Sequence, residues 1–176
     1  GAEPSVDGGY ACAIILDAAA LAGRPELWAP EEAARRWLDA LSLVRPGHPG
    51  LVVGTIPEAL GQMLVRWSPT DYAQRLLDER EALGFFPACT MVALDGTAAQ
   101  VRQVADQVVR EGGAELVGTV AIPATREGEQ NQVRTLVRTP LPDTVAMLQA
   151  LTDIRRSRSA RKVPLVKMSV NPPELF

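Results

Sequence analysis

The stretch ACTMVALDGTAAQVRQVADQVVREGG, residues 88–113, decides how this chain folds. It opens with an apolar run of strand length, Ala88 to Leu94, turned by Asp95-Gly96. Thr97 stands where a helix cap belongs, and Val101, Val104, Ala105, Val108 and Val109 fall on one stripe of the helix that follows. Gly112-Gly113 ends that helix. Toward the C-terminus, a second strand covers Glu115 to Val120, and a polar loop from Pro123 to Gln130 leads to a third, Gln132 to Arg138. In the third strand Val133, Thr135 and Val137 alternate with Arg134, Leu136 and Arg138, so the two sets face opposite ways. Pro142-Asp143 starts a helix through Val145, Leu148, Leu151 and Ile154, and the last strand is Leu165 to Val170. The order βαββαβ predicts a ferredoxin-like sandwich, four antiparallel strands with two helices on one face.

Toward the N-terminus, Phe85-Phe86-Pro87 forms an aromatic hinge, preceded by a helix from Asp71 or Tyr72 to Leu83 that Ser68 or Thr70 caps and Gly84 ends. Ser68-Pro69-Thr70-Asp71 is the punctuation that divides the chain into residues 1–68 and 69–176, the second part holding the linker helix 71–83 and then the sandwich. Upstream, residues 11–17 read as a buried strand, and Pro30-Glu31-Glu32 opens a helix with apolar positions Ala33, Ala34, Trp37, Leu38 and Leu41. Pro46-Gly47-His48-Pro49-Gly50 stops it, a short strand covers Leu51 to Thr55, and a helix runs from Pro57 to Trp67. Strand, helix, strand, helix is the end of a parallel α/β unit, which by itself leaves sheet edges bare. With an opening of Gly1-Ala2-Glu3-Pro4 and no initiator Met, we expect this part to be the end of a larger fold and any chemistry needing upstream residues to be incomplete.

Composition is that of a globular chain, 47% hydrophobic, with no apolar run long enough to cross a membrane and no basic-then-apolar leader. Net charge is −3, yet the distribution is uneven. Residues 1–70 carry 5 basic and 8 acidic groups, residues 71–131 carry 5 and 10, and residues 132–176 carry 8 and 3. This reversal of sign points the C-terminal segment at a polyanion, against the alternative of a merely solvated helix face. Cys12 and Cys89 read as two buried thiols in a reducing cytoplasm, with a disulfide between them left open. His48 is the sole histidine and there is no CxxC, so the chain offers no zinc site of its own; in its Pro/Gly loop His48 is a surface residue without a catalytic partner. Asp78, Glu79 and Glu81 share a helix with Arg75 and Arg80 and read as surface pairs. No phosphate-cradling loop is present.

Several segments together resemble a known family. Gly1-Ala2-Glu3-Pro4 is similar to a late helicase motif; Tyr72-Ala73, Leu77, Glu79-Arg80 and Pro87 are similar to a helix and hinge; Glu115 to Val120 resembles a Leu-Gly-Pro-Val strand with Thr119 in place of the proline. Ser159-Ala160-Arg161-Lys162-Val163 and Val170-Asn171-Pro172 resemble terminal Ala-Arg-Lys and Val-Asp-Pro stretches. The ordered set, covering nearly the whole chain, resembles the C-terminal part of the primosomal protein N′ (PriA) replication-restart helicases. The resemblance implies the tail end of a RecA-like helicase lobe followed by the ferredoxin-like sandwich. It also implies a cytoplasmic, nucleoid-associated setting, with forked or single-stranded DNA, single-stranded-DNA-binding protein and other primosome components as partners. ATP and zinc would be held only by upstream regions.

One departure bears on catalysis. Where the family carries Gln-x-x-Gly-Arg-x-Gly-Arg, this chain has Leu38-Asp39-Ala40-Leu41-Ser42-Leu43-Val44-Arg45, so that only Arg45 survives and Ser42 replaces the first arginine. Loss of arginines that stabilise transition-state charge costs orders of magnitude in rate, and such loss resembles the degenerate actinobacterial type. No catalytic set is complete: Gly1, Ala2, Glu3, Pro4 and Arg45 are remnants. The candidate DNA- or partner-binding residues are Arg134, Arg138, Arg155, Arg156, Arg158, Arg161, Lys162 and Lys167. Two rivals to DNA binding are a module that recruits an acidic peptide, such as the tail of single-stranded-DNA-binding protein, and a cap that only completes the motor lobe.

Overall fold

In a computed structural model the chain is described at residues 4–123 and 132–175. Gly1, Ala2 and Glu3, Phe176 and most of the expected polar loop at 123–130 lie outside the described residues. Contacts divide the chain into two compact units, Gly1–Leu76 and Leu77–Phe176.

The first unit contains β1 (Ala13–Ile15), α1 (Ala18–Ala22), α2 (Ala29–Ser42), β2 (Gly50–Val52), α3 (Glu58–Arg66) and the start of α4 (Pro69–Leu83). The strand expected at 11–17 is shorter, because Asp17 turns the backbone into the left-handed region at φ 51° and α1, unforeseen, begins at once. β1 and β2 pair in parallel, Ile14 opposite Leu51. Ile15 and Val52 pack on a core of Ala18, Ala33, Ala34, Trp37, Leu60 and Met63, where alanines let the helices close around one tryptophan. The other face is bare: Ile14, Leu16, Leu51 and Val53 are 58%, 72%, 50% and 50% exposed. A parallel pair usually carries cover on both faces.

The second unit continues α4 and adds β3 (Cys89–Thr97), α5 (Ala98–Gly112), β4 (Glu115–Ile122), β5 (Gln132–Pro140), α6 (Thr144–Ala160) and β6 (Lys167–Val170). Its strands form one antiparallel sheet in the order β4-β5-β3-β6. The helices cover one face, where Val92, Leu94 and Val137 meet Val101, Val104, Val108, Met147 and Ile154. The second face has its own small core of Met91, Ala93 and Leu136, packed by Phe85, Val117 and Leu175, a cover the periodicity did not announce.

Four expectations change. The last strand, expected from Leu165, begins at Lys167, so Leu165 and Val166 belong to the segment before it. Asp95-Gly96 is not a turn, because β3 runs on to Thr97, opposite Gln132. Thr97 sits at the cap position of α5 but makes no side-chain capping bond. Val109 and Val145, expected on apolar stripes, are 38% and 64% exposed. The two glycines closing α5 divide the work. Gly113 takes the left-handed cap at φ 65°, while a Cβ on Gly112 would stand 3.1 Å from the Met147 backbone, so Gly112 lets α5 and α6 approach.

Candidate nucleic-acid interface

The eight candidate cations separate into two classes. Arg134 on β5 stands directly opposite Asp95 on the central strand, and Lys167 on β6 faces Asp95 from the other side. The guanidinium grips the carboxylate through both oxygens, Nε to Oδ1 at 2.8 Å and Nη2 to Oδ2 at 3.0 Å, and Nη1 donates to the Glu174 carbonyl at 3.0 Å. That hydrogen bond to Asp95 raises the Arg134 pKa, so its charge is permanent and largely spent inside the fold.

Arg138 is spent likewise. Its Nε donates to Glu115 at 2.9 Å, and its Nη1 donates to the carbonyls of Leu83 and Gly84 at 3.0 and 3.1 Å, closing the C-terminal end of α4. The Glu115 carboxyl is held below its ordinary range by the hydrogen bond from Arg138. Gly84 takes the left-handed conformation at φ 64°, which favours glycine, and a Cβ there would push the Arg138 guanidinium aside.

Arg158 on α6 is engaged as well and, alone of the eight, buried, at 8% exposed. Its Nη1 donates to Gln103 at 3.0 Å and its Nη2 to the Pro164 carbonyl at 2.8 Å, while Nε finds no partner. Among the described residues no carboxylate neutralises it, and the C-terminal end of α6 supplies the partial negative charge that makes burial tolerable.

The remaining five face solvent. Arg155, Arg161 and Lys162 are exposed and make no ion pair among the described residues. Arg156 lies 3.4 Å from Asp153 with its side chain 79% exposed, and Lys167 lies 3.8 Å from Asp95 with its own 72% exposed. Such pairs are weak and leave the cations available. Arg155 and Lys167 line one cavity of about 340 Å³ floored by Leu165, Val166 and Met168. A second, of about 630 Å³, is lined by Asp95, Thr97, Gln100, Arg134, Leu165 and Lys167. The structure thus joins Arg134 to Lys167 through Asp95, and Lys167 to Arg155 across a cavity. Arg138 sits with Glu115 instead.

Sequence reasoning missed Asp95, Glu115, Gln103 and Leu165. Asp95 beside Gly96 has the composition of a turn, and nothing local distinguishes it from a strand carboxylate held by two neighbours.

Of the residues expected as motif remnants, Pro4 and Arg45 lie among the described ones, and both make structural bonds. Arg45 Nε donates to the Gly9 carbonyl at 2.8 Å, its backbone N–H donates to Tyr10, and the Tyr10 hydroxyl donates to the Pro4 carbonyl. Ser42 closes α2 with a bond to the Asp39 carbonyl at 2.7 Å. His48 is exposed, and the two cysteines are free thiols, Cys89 buried and Cys12 half-buried.

Residues 81–173 match the profile of the family described as Primosomal protein N C-terminal domain. The chain is 40% identical over 126 residues to the probable replication restart protein PriA of Mycobacterium leprae (strain TN), covering 70% of this chain and 19% of that protein. It is 43% identical over 104 residues to the protein so named in Mycobacterium tuberculosis (strain ATCC 25618 / H37Rv), covering 57% of this chain and 16% of that one. The chain therefore spans about a fifth or less of the length of these relatives.

Proposed function

We propose, because this chain belongs to the primosomal protein N C-terminal domain family, that it holds branched or single-stranded DNA for a longer replication-restart protein and helps to reload the replication machinery. The observation that carries this reading is the set of exposed cations from Arg155 to Lys167, gathered at the end of α6 and the start of β6 while their neighbours are consumed internally. Flexible, solvated Arg and Lys side chains contact phosphates without reading bases. The strand order β4-β5-β3-β6 supports a ferredoxin-like arrangement for the second unit, and the parallel β1–β2 pair supports the end of a RecA-like lobe for the first.

Binding of a labelled single strand and a fork, followed by anisotropy across salt, tests this. Engagement of about four phosphates gives a slope of log K against log salt near −3 on a single strand. Arg155→Ala with Lys162→Ala should flatten it. Absence of binding even at low salt would remove the proposal.

A second reading has its own observation. The cavity between Arg155 and Lys167 has an apolar floor, which suits an apolar side chain next to a carboxylate in an acidic peptide, such as the tail of single-stranded-DNA-binding protein. Titrating one protein sample with such a peptide and with DNA separates the two.

For the whole protein we propose feeble ATP hydrolysis at most. Leu38 and Ser42 stand where the helicase motif needs glutamine and arginine, and the surviving Arg45 has its Nε on a backbone carbonyl. Any nucleotide or zinc chemistry belongs to other regions. A cytoplasmic, nucleoid-associated location follows from the proposed role; among the described residues no helix is long and apolar enough to cross a membrane.

A further inference from the structure

The segment joining α6 to β6 reads Arg161-Lys162-Val163-Pro164-Leu165-Val166, with Lys167 beginning the strand. Cations flank an apolar tip. Val163 is 37% and Leu165 52% exposed. A lone exposed leucine calls for no explanation, but this one has particular surroundings. Leu165 lines both cavities described above, of about 340 and 630 Å³, volumes typical of ligand sites. Thr97 and Gln100 bring hydrogen-bonding groups to the larger one, and the Asp95 carboxylate in its wall is already gripped by Arg134.

The segment is also held firmly. Val163 N–H donates to the Arg158 carbonyl at 3.0 Å and Lys162 N–H to that of Ser159 at 3.0 Å, the paired closure of a Schellman motif. Arg158 reaches past the helix end to pin the Pro164 carbonyl. Lys162 occupies the left-handed position of the motif, φ 54°, where glycine is usual. A cation is thus kept at the tip at a conformational cost. The anchor itself is a buried positive charge with no carboxylate partner among the described residues, so it adds to the local potential.

We propose that this loop is a wedge: Leu165, with Val163 beside it, enters between bases at an unpaired junction of DNA, while Arg155, Arg161, Lys162 and Lys167 hold the phosphates on either side. Apolar side chains inserted at a base step unstack it at a cost that flanking backbone contacts offset. A displaced base finds an apolar floor on one side of Leu165 and hydrogen-bonding groups on the other. Those polar walls favour a base edge over an acyl chain, which has no use for them. The proposal rests on the DNA reading above and adds to it the side chains that engage the junction.

The test uses this chain with a fork carrying 2-aminopurine at its junction, a blunt duplex of the same sequence, and phosphatidylserine–phosphatidylcholine vesicles. The unaltered chain should brighten the 2-aminopurine and prefer the fork by about tenfold. Leu165→Ser, and independently Val163→Ser, should abolish the brightening and most of the preference, with the thermal midpoint held because both side chains are at the surface. Arg155→Ala with Lys162→Ala should weaken fork and duplex alike. Brightening and preference retained in Leu165→Ser would overturn the wedge and leave the DNA reading standing. Failure of the unaltered chain to bind either DNA at low salt overturns both. Vesicle binding without DNA binding reassigns the loop to a membrane surface and overturns the wedge as well.

Discussion

At Asp95 one carboxylate, 7% exposed, serves two cations from opposite neighbouring strands. Removing one member of a buried pair leaves the other charge unsatisfied. Asp95→Asn is therefore expected to cost about 3 kcal/mol, the low end for such a break, since Arg134 keeps 20% of its side chain in water. Asp95→Leu combined with Arg134→Leu should recover most of that loss, because two apolar neighbours incur no charge burial. Urea midpoints of the two proteins check this, and a double variant no better than the single would refute it. Arg134, Arg138 and Arg155 look equivalent in the sequence. Which of them is spent is decided 39 residues from Arg134 at Asp95 and 23 from Arg138 at Glu115. No local pattern carries that information.

Among the elements, α2 shows what local chemistry does announce. Glu32 lies one turn before Arg35 and Arg36 and bonds both, at 2.8 and 2.6 Å. Hydrogen bonds from Arg35 first and Arg36 next hold its carboxyl at about 2, below the ordinary 4.5. A depressed folded pKa contributes stability that is full above the unfolded value and disappears as pH falls through the folded one. Glu32→Gln should accordingly lower the unfolding midpoint at pH 7, with the difference closing as pH drops from about 4.5 to about 2. Equal differences at both ends would show that the bridges contribute nothing. The pairing spans only three and four residues, so local spacing suffices for it, although Glu32 reads in the sequence only as an acid at the helix start. The extent of β3 was not legible: Asp95-Gly96 has turn composition, and only pairing with β5 and β6 keeps it extended. Gly112 read as a stop signal, whereas its contact with Met147 shows a packing role as well.

Over the whole molecule there are two compact units, and the tryptophans fall on one side of that division. All three, Trp28, Trp37 and Trp67, belong to the first unit, whose parallel pair leaves Ile14, Leu16, Leu51 and Val53 bare. Each such side chain forgoes part of the roughly 1.5–3 kcal/mol that full burial supplies. The first unit should therefore unfold at lower denaturant than the second. Tryptophan fluorescence, which reports the first alone, should then show an earlier midpoint than far-ultraviolet circular dichroism, which reports both. Coincident midpoints would show one cooperative unit. By itself the sequence determined the βαββαβ succession of the second unit, the alternation along β5 and the cationic character of the last segment, because periodicity, caps and charge are written within a few residues of each other. Only the tertiary structure decided that Arg134, Arg138 and Arg158 are bonded within the fold while Arg155, Arg161, Lys162 and Lys167 face solvent. That outcome depends on strand register and on carbonyls and carboxylates brought together from distant parts of the chain.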